Sequence, residues 1–168
     1  LFERGYDYNG FGGVVSNRAS GESEIKPLLI GAYGEGDKPT LTAEVRIWQG
    51  VDNVVFQDLH LEGGMRIQGA QNILIDNVTF EGQDAGGGAK FSALQSEGIT
   101  LLNSELYDIW RTQRETDFGN NGHRSQSWHD RTHGVYVDST DGFLLEGNFF
   151  DHNGWNPNYN PNNLWGGG

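Results

Sequence analysis

The feature that most constrains this chain is a pattern that recurs four times. The segments are VRIWQGVDNVVFQDLHLEG from Val45, MRIQGAQNILIDNVTFEG from Met65, FSALQSEGITLLNSELYD from Phe91 and VYVDSTDGFLLEGNFFD from Val135. Each reads as a short alternating strand, a polar turn, a second strand, a polar kink and a third strand. Asn53, Asn72, Gly98 and Gly142 hold the same turn position, and Asp58, Asn77, Asn103 and Gly147 hold the kink. The apolar positions correspond as well. Val54, Ile73, Ile99 and Phe143 form one set; Phe56, Ile75, Leu101 and Leu145 a second; Leu61, Phe80, Leu106 and Phe150 a third.

A repeat of about twenty residues built from three short strands predicts an all-β chain, a right-handed parallel β-helix solenoid. One coil cannot bury its own apolar positions, but stacked coils bury them together. The kink residues are then expected to form a polar ladder between coils. An antiparallel sandwich has no reason to place one residue class at one turn position four times. A leucine-rich repeat shares the period but needs a denser Leu and Asn signature. The 168 residues are read as one β-helix domain, with coils near 27–44, 45–63, 65–82, 90–108 and 133–153. The first of these, around PLLIGAYGEGDKPTL, is less regular. Insertions leave the stack at EGQDAGGGAK and across a loop at 109–132. The tail GWNPNYNPNNLWGGG offers no cap, which a solenoid needs. The expectation is therefore a portion of a longer helix, continued by further C-terminal coils or a second chain.

Charge and composition narrow the partners. The formal net charge of -12 argues against general nucleic-acid binding. No stretch is apolar and long enough to cross a membrane as a helix. The absence of Cys excludes disulfides and thiolate metal sites.

Side chains alternate along each strand. If Val45, Ile47, Met65, Ile67, Phe91, Ala93, Val135 and Val137 point inward, then Arg46, Arg66, Ser92 and Tyr136 form one outward column. Lys90 lies one step earlier in its strand, and Trp48 and Asp138 one step later. The other sheets show fewer such groups; His60 and Glu105 share a column with Thr79 between them. No outward apolar column is expected, because Leu94, Leu74 and Leu144 are assigned to different sheets. The loop Ile109 to His133 holds Arg111, Arg114, Arg124 and Arg131, four of the eleven basic residues, and three of the five His. It re-enters the stack beside Tyr136 and so reads as the wall of a cleft. His123, His129 and His133, spaced by six and four, are candidate ligands for a transition metal. Asp130 is equally placed to orient an imidazole. Arg and Lys gathered on one face of an acidic protein point to an anionic ligand, and Trp48 to stacking on a sugar ring.

The stretches LLIGAYGEGDKPTL and HGVYVDSTDGFLLEGNFFDHNGWN resemble the right-handed parallel β-helix proteins of the pectate-lyase-like superfamily (polysaccharide lyases, mannuronan epimerases and relatives). That resemblance spans nearly the whole chain but rests on scaffold motifs. It implies a secreted or periplasmic, carbohydrate-active protein whose partner is a uronic-acid polysaccharide. Lyase chemistry by β-elimination is the leading expectation. A cation neutralises the C5 carboxylate, a base takes the C5 proton and an acid protonates the departing O4. Arg66 is the candidate cation, with Ca²⁺ as a possible cofactor for the same task. Lys90 or His133 is the candidate base and Tyr136 the candidate acid. Arg46, Trp48, Asp138, His129 and Arg131 are candidate substrate-binding residues. A C5-epimerase would use the same groups, although WHDRTHGVY is only loosely similar to the epimerase Asp-Pro-His signature. A glycoside hydrolase would need two carboxylates, with Asp138 and Asp130 as candidates and Asp151 and Glu146 on other faces. A tailspike-like protein would bind glycan on this face without turnover.

Overall fold

The computed structural model describes residues 1–10, 14–15, 19–82, 89–109 and 133–153. Among them there are strands and turns and no helix. Three all-parallel sheets make up the fold. The first contains β1 (Phe2–Glu3), β4 (Leu28–Tyr33), β7 (Asp52–Gln57), β10 (Gln71–Asp76), β13 (Glu97–Leu102) and β16 (Leu144–Glu146). The second contains β2 (Asp7–Tyr8), β5 (Thr40–Leu41), β8 (His60–Leu61), β11 (Thr79–Glu81), β14 (Glu105–Tyr107) and β17 (Phe149–Asp151). The third contains β3 (Val14–Val15), β6 (Val45–Ile47), β9 (Met65–Gln68), β12 (Ala89–Leu94) and β15 (His133–Asp138). The chain visits the three sheets in turn and pairs each strand with the one three elements earlier.

Backbone conformation explains why the same turn positions recur. Asn53, Asn72, Gly98 and Gly142 all adopt positive φ, between 51° and 64°. Asp58, Asn77, Asn103 and Gly147 do so too, between 47° and 68°. Gly, Asn and Asp tolerate this left-handed region best, so the bends select those residues. A third left-handed column, Gly50, Gly69, Gln95 and Ser139, precedes the first by three residues. It is harder to recognise in the sequence because Gln and Ser stand where Gly stood.

The polar ladder exists but changes partners as it climbs. Asn72 Nδ2 donates to Asn53 Oδ1 at 3.3 Å, and Asn77 Nδ2 to Asp58 Oδ1 at 2.6 Å. Asn103 Nδ2 instead donates to Asp76 Oδ1 at 2.9 Å. Glycine ends each ladder, since Gly98 and Gly147 have no side chain to offer. Inside the later turns polar side chains take over. Ser104 Oγ donates to Leu102 O at 2.7 Å and accepts from Val78 N–H at 3.1 Å.

The core follows the apolar sets read from the repeat. Val54, Ile73 and Ile99 are register partners, as are Phe56, Ile75, Leu101 and Leu145, and Leu61, Phe80, Leu106 and Phe150. Those from β7 to β14 are buried. Phe80 and Phe91 meet edge to face at 5.7 Å, an arrangement that adds to their burial. Leu145 and Phe150 are exposed, because no described strand stacks beyond β16 and β17.

Two expectations need correction. Leu74 and Leu144 lie on the same sheet, and with Leu29, Val55 and Thr100 they form one outward column of the first sheet. Their alternation relative to the left-handed bend is identical, which places both on the outer face of one sheet. A further coil, β1 to β3, also precedes the one at PLLIGAYGEGDKPTL. Its strands have two residues each, too few to show a period.

Candidate functional site

The third sheet carries the cationic column. Arg46, Arg66, Ser92 and Tyr136 are successive register partners across β6, β9, β12 and β15. Parallel pairing sets one rung, roughly 4.8 Å, between neighbours in such a column. Arg66 is half-buried, and its Nε is shielded from solvent without a hydrogen-bond partner among the described residues. A buried guanidinium N–H left unmade is costly unless a ligand completes it. Arg46 Nε lies 2.5 Å from Glu44 Oε2. Ser92, between Arg66 and Tyr136, is only 7 % exposed.

Tyr136 is 46 % exposed. The His133 ring stacks on it with centroids 6.2 Å apart and planes 28° from parallel. The two therefore present an imidazole and a phenol side by side at the start of β15. Trp48 is half-buried just beyond β6. Asp138 is exposed and accepts a hydrogen bond from Ser139 Oγ at 3.1 Å.

Lys90 departs from its expected presentation on the outer face. It is 3 % exposed, and its Nζ donates to the backbone carbonyl of Glu62. The reason is the corner where the second sheet passes into the third. Gly82 and Gly64 line that corner, and a Cβ on Gly82 would sit 3.1 Å from Lys90 Nζ. The missing side chains leave a channel, and the long lysine runs along it. Lys90 thus joins two coils through the Glu62 carbonyl.

His129, Arg131, Asp130, His123, Arg111, Arg114 and Arg124 lie outside the described residues. Among the described residues no group of three or more His, Asp or Glu side chains is arranged to hold a metal ion. On the described part of this face, Arg66 is a cation at hand for a carboxylate.

A second constellation lies on the outer face of the second sheet. His60, Thr79, Glu105 and Phe149 form one column, with Glu81, Tyr107 and Asp151 beside it. Tyr107 Oη donates to Glu81 Oε2 at 2.9 Å. His60 Nε2 lies 3.2 Å from the same oxygen but out of line for a hydrogen bond. Burial, then the bond to Glu81, pushes the Tyr107 phenol up to about 12. Lys38, from the loop before β5, donates to Thr79 Oγ1 at 3.0 Å. Burial lowers its ammonium pKa against the opposing pull of Glu105 and Asp58. Above this network a cavity of about 340 Å³ is lined by Glu105, Tyr107, Asp108, Phe149, Asp151 and His152. Sequence reading found the His60–Thr79–Glu105 column but not Lys38. Glu81 and Tyr107, each two residues beyond a column member, were the available signal.

No family model, curated protein or solved structure matches this chain.

Proposed function

We propose that the chain is a right-handed parallel β-helix of the pectate-lyase-like type, and that its third sheet binds and cleaves an acidic polysaccharide. The observation that carries this reading is the half-buried Arg66, whose Nε has no partner among the described residues, in one column with the His133-stacked Tyr136. An arginine held in this way favours a planar carboxylate over a neutral hydroxyl. Lysine chemistry is not needed, since an imidazole and a phenol already stand together.

In the reaction, Arg66 pairs with the C5 carboxylate of a uronate residue and stabilises charge developing toward it. The His133 imidazole takes the C5 proton. The electron pair forms the C4–C5 double bond as the C4–O4 bond breaks. The Tyr136 phenol gives its proton to the departing O4, and the products are one chain with an unsaturated uronide at its non-reducing end and a partner chain with a new reducing end. Arg46 and Trp48 extend the surface for neighbouring residues of the polymer.

The test is incubation with polygalacturonate, polymannuronate and polyguluronate while ultraviolet absorbance of the unsaturated uronide is followed. Absorbance rises with one of these polymers, and Tyr136→Phe and Arg66→Met each abolish most of the rise. If binding occurs without a rise and without C5 proton exchange, the face is a glycan-binding surface and the lyase reading fails.

A further inference from the structure

Arg46 and Arg66 are equivalent by register yet differ in what stands two residues before them. Glu44 precedes Arg46, and its carboxylate reaches the guanidinium at 2.5 Å. Gly64 precedes Arg66 and offers no carboxylate. Gly64 cannot be replaced freely, because it has φ of 82° and a Cβ there would lie 2.5 Å from the Lys90 carbonyl oxygen. Packing of the next coil therefore keeps a carboxylate out of position 64, while the equivalent position beside Arg46 carries Glu44. The Glu44 side chain is 25 % exposed against 52 % for Arg46, so the carboxylate rests on the face instead of hanging free.

We propose that Glu44 sets the ligand preference of this face by occupying the carboxylate subsite at Arg46. The inference rests on the anionic-glycan reading and deepens it. A single uronate engages Arg66 alone. Arg46 lies about one rung from Arg66, so a uronate block laid along the column offers it a second carboxylate, which must displace Glu44. The exchange replaces one carboxylate by another, so Arg46 adds little net affinity while Glu44 is present. Glu44 is thus a specificity-determining residue that restrains discrimination between isolated uronates and uronate blocks.

The experiment measures Kd by calorimetry for oligogalacturonates and oligomannuronates of increasing length, in a Tyr136→Phe background that blocks turnover. Glu44→Gln tightens binding of long oligomers by about two- to fivefold, the scale of one exposed ion pair. It leaves the monouronate unchanged, and the gain vanishes when Arg46→Met is added. An equal gain for monomer and oligomer, or a gain that survives Arg46→Met, reports general charge removal and overturns the proposal. If the Tyr136→Phe protein binds long oligomers but Glu44→Gln changes nothing, the proposal fails and the anionic-glycan reading stands. If neither protein binds any oligouronate, both fall.

Discussion

Replacing Gly64 by Ala tests whether close coil packing holds the candidate site in register. Gly64 links the second sheet to β9, and its carbonyl accepts a hydrogen bond from Val45 N–H at 2.9 Å. Two costs add at this position. An alanine in the left-handed region loses about 1–2 kcal/mol against glycine. Its Cβ would also stand 2.5 Å from the Lys90 carbonyl oxygen, so backbone must move. Forced overpacking of this kind costs about 1–3 kcal/mol. Gly142→Ala is the matched control, because it has φ of 64° but its Cβ would meet Gly98 N at 3.5 Å and Gly98 Cα at 3.7 Å, both ordinary contacts. Urea titration of the two variants should give losses of about 2–5 kcal/mol for Gly64→Ala and about 1–2 kcal/mol for Gly142→Ala. Since β9 carries Arg66 and pairs with β12, oligouronate binding should fall in Gly64→Ala and not in Gly142→Ala. Equal losses of stability would refute the argument, since they would leave backbone conformation as the whole effect.

Further outcomes follow from other parts of the stack. Phe80→Ala removes a fully buried ring from the core and should cost about 3–5 kcal/mol by urea titration. Asn77→Ala removes the 2.6 Å bond to Asp58 and a residue suited to its positive φ; a loss near 1–2 kcal/mol is expected, and none would show the ladder to be decorative. Lys90→Met leaves the Glu62 carbonyl without its ammonium donor and should cost about 1–3 kcal/mol. The Tyr107 phenol, raised to about 12 in the folded chain, contributes stability below pH 10 that is lost as pH climbs toward 12. Solvent screening keeps that contribution below about 1 kcal/mol. Tyr107→Phe should remove this part of the alkaline decline, and a phenolate absorbance titration should show one fewer late-ionising tyrosine in the variant than in the wild type.

What could be read from the sequence, and what could not, divides along a physical line. The bends were readable because a left-handed backbone restricts residue choice, so Asn53, Asn72, Gly98 and Gly142 repeat a chemical type. The strand columns were readable because a one-residue slip would expose Phe56, Ile75 and Leu101 together. That argument places Cα atoms and the direction of Cβ, and it placed Arg46, Arg66 and Tyr136 in one register column. It does not place the end of a long side chain. Lys90 begins on an outward step, yet its four methylenes carry the ammonium to a carbonyl 28 residues earlier. The channel that draws it there is made by glycines whose role depends on the neighbouring coil, not on their own segment. The same limit hid Lys38, whose ammonium crosses from a loop to Thr79, 41 residues later. It also hid the pairing of Glu44 with Arg46. In these parallel sheets, then, periodicity specifies which residues share a face. Which of them are available to a ligand depends on side-chain reach and on the gaps left by glycine. At Arg66 those two factors agree, since Gly64 removes the competing carboxylate and the coil above forbids its return.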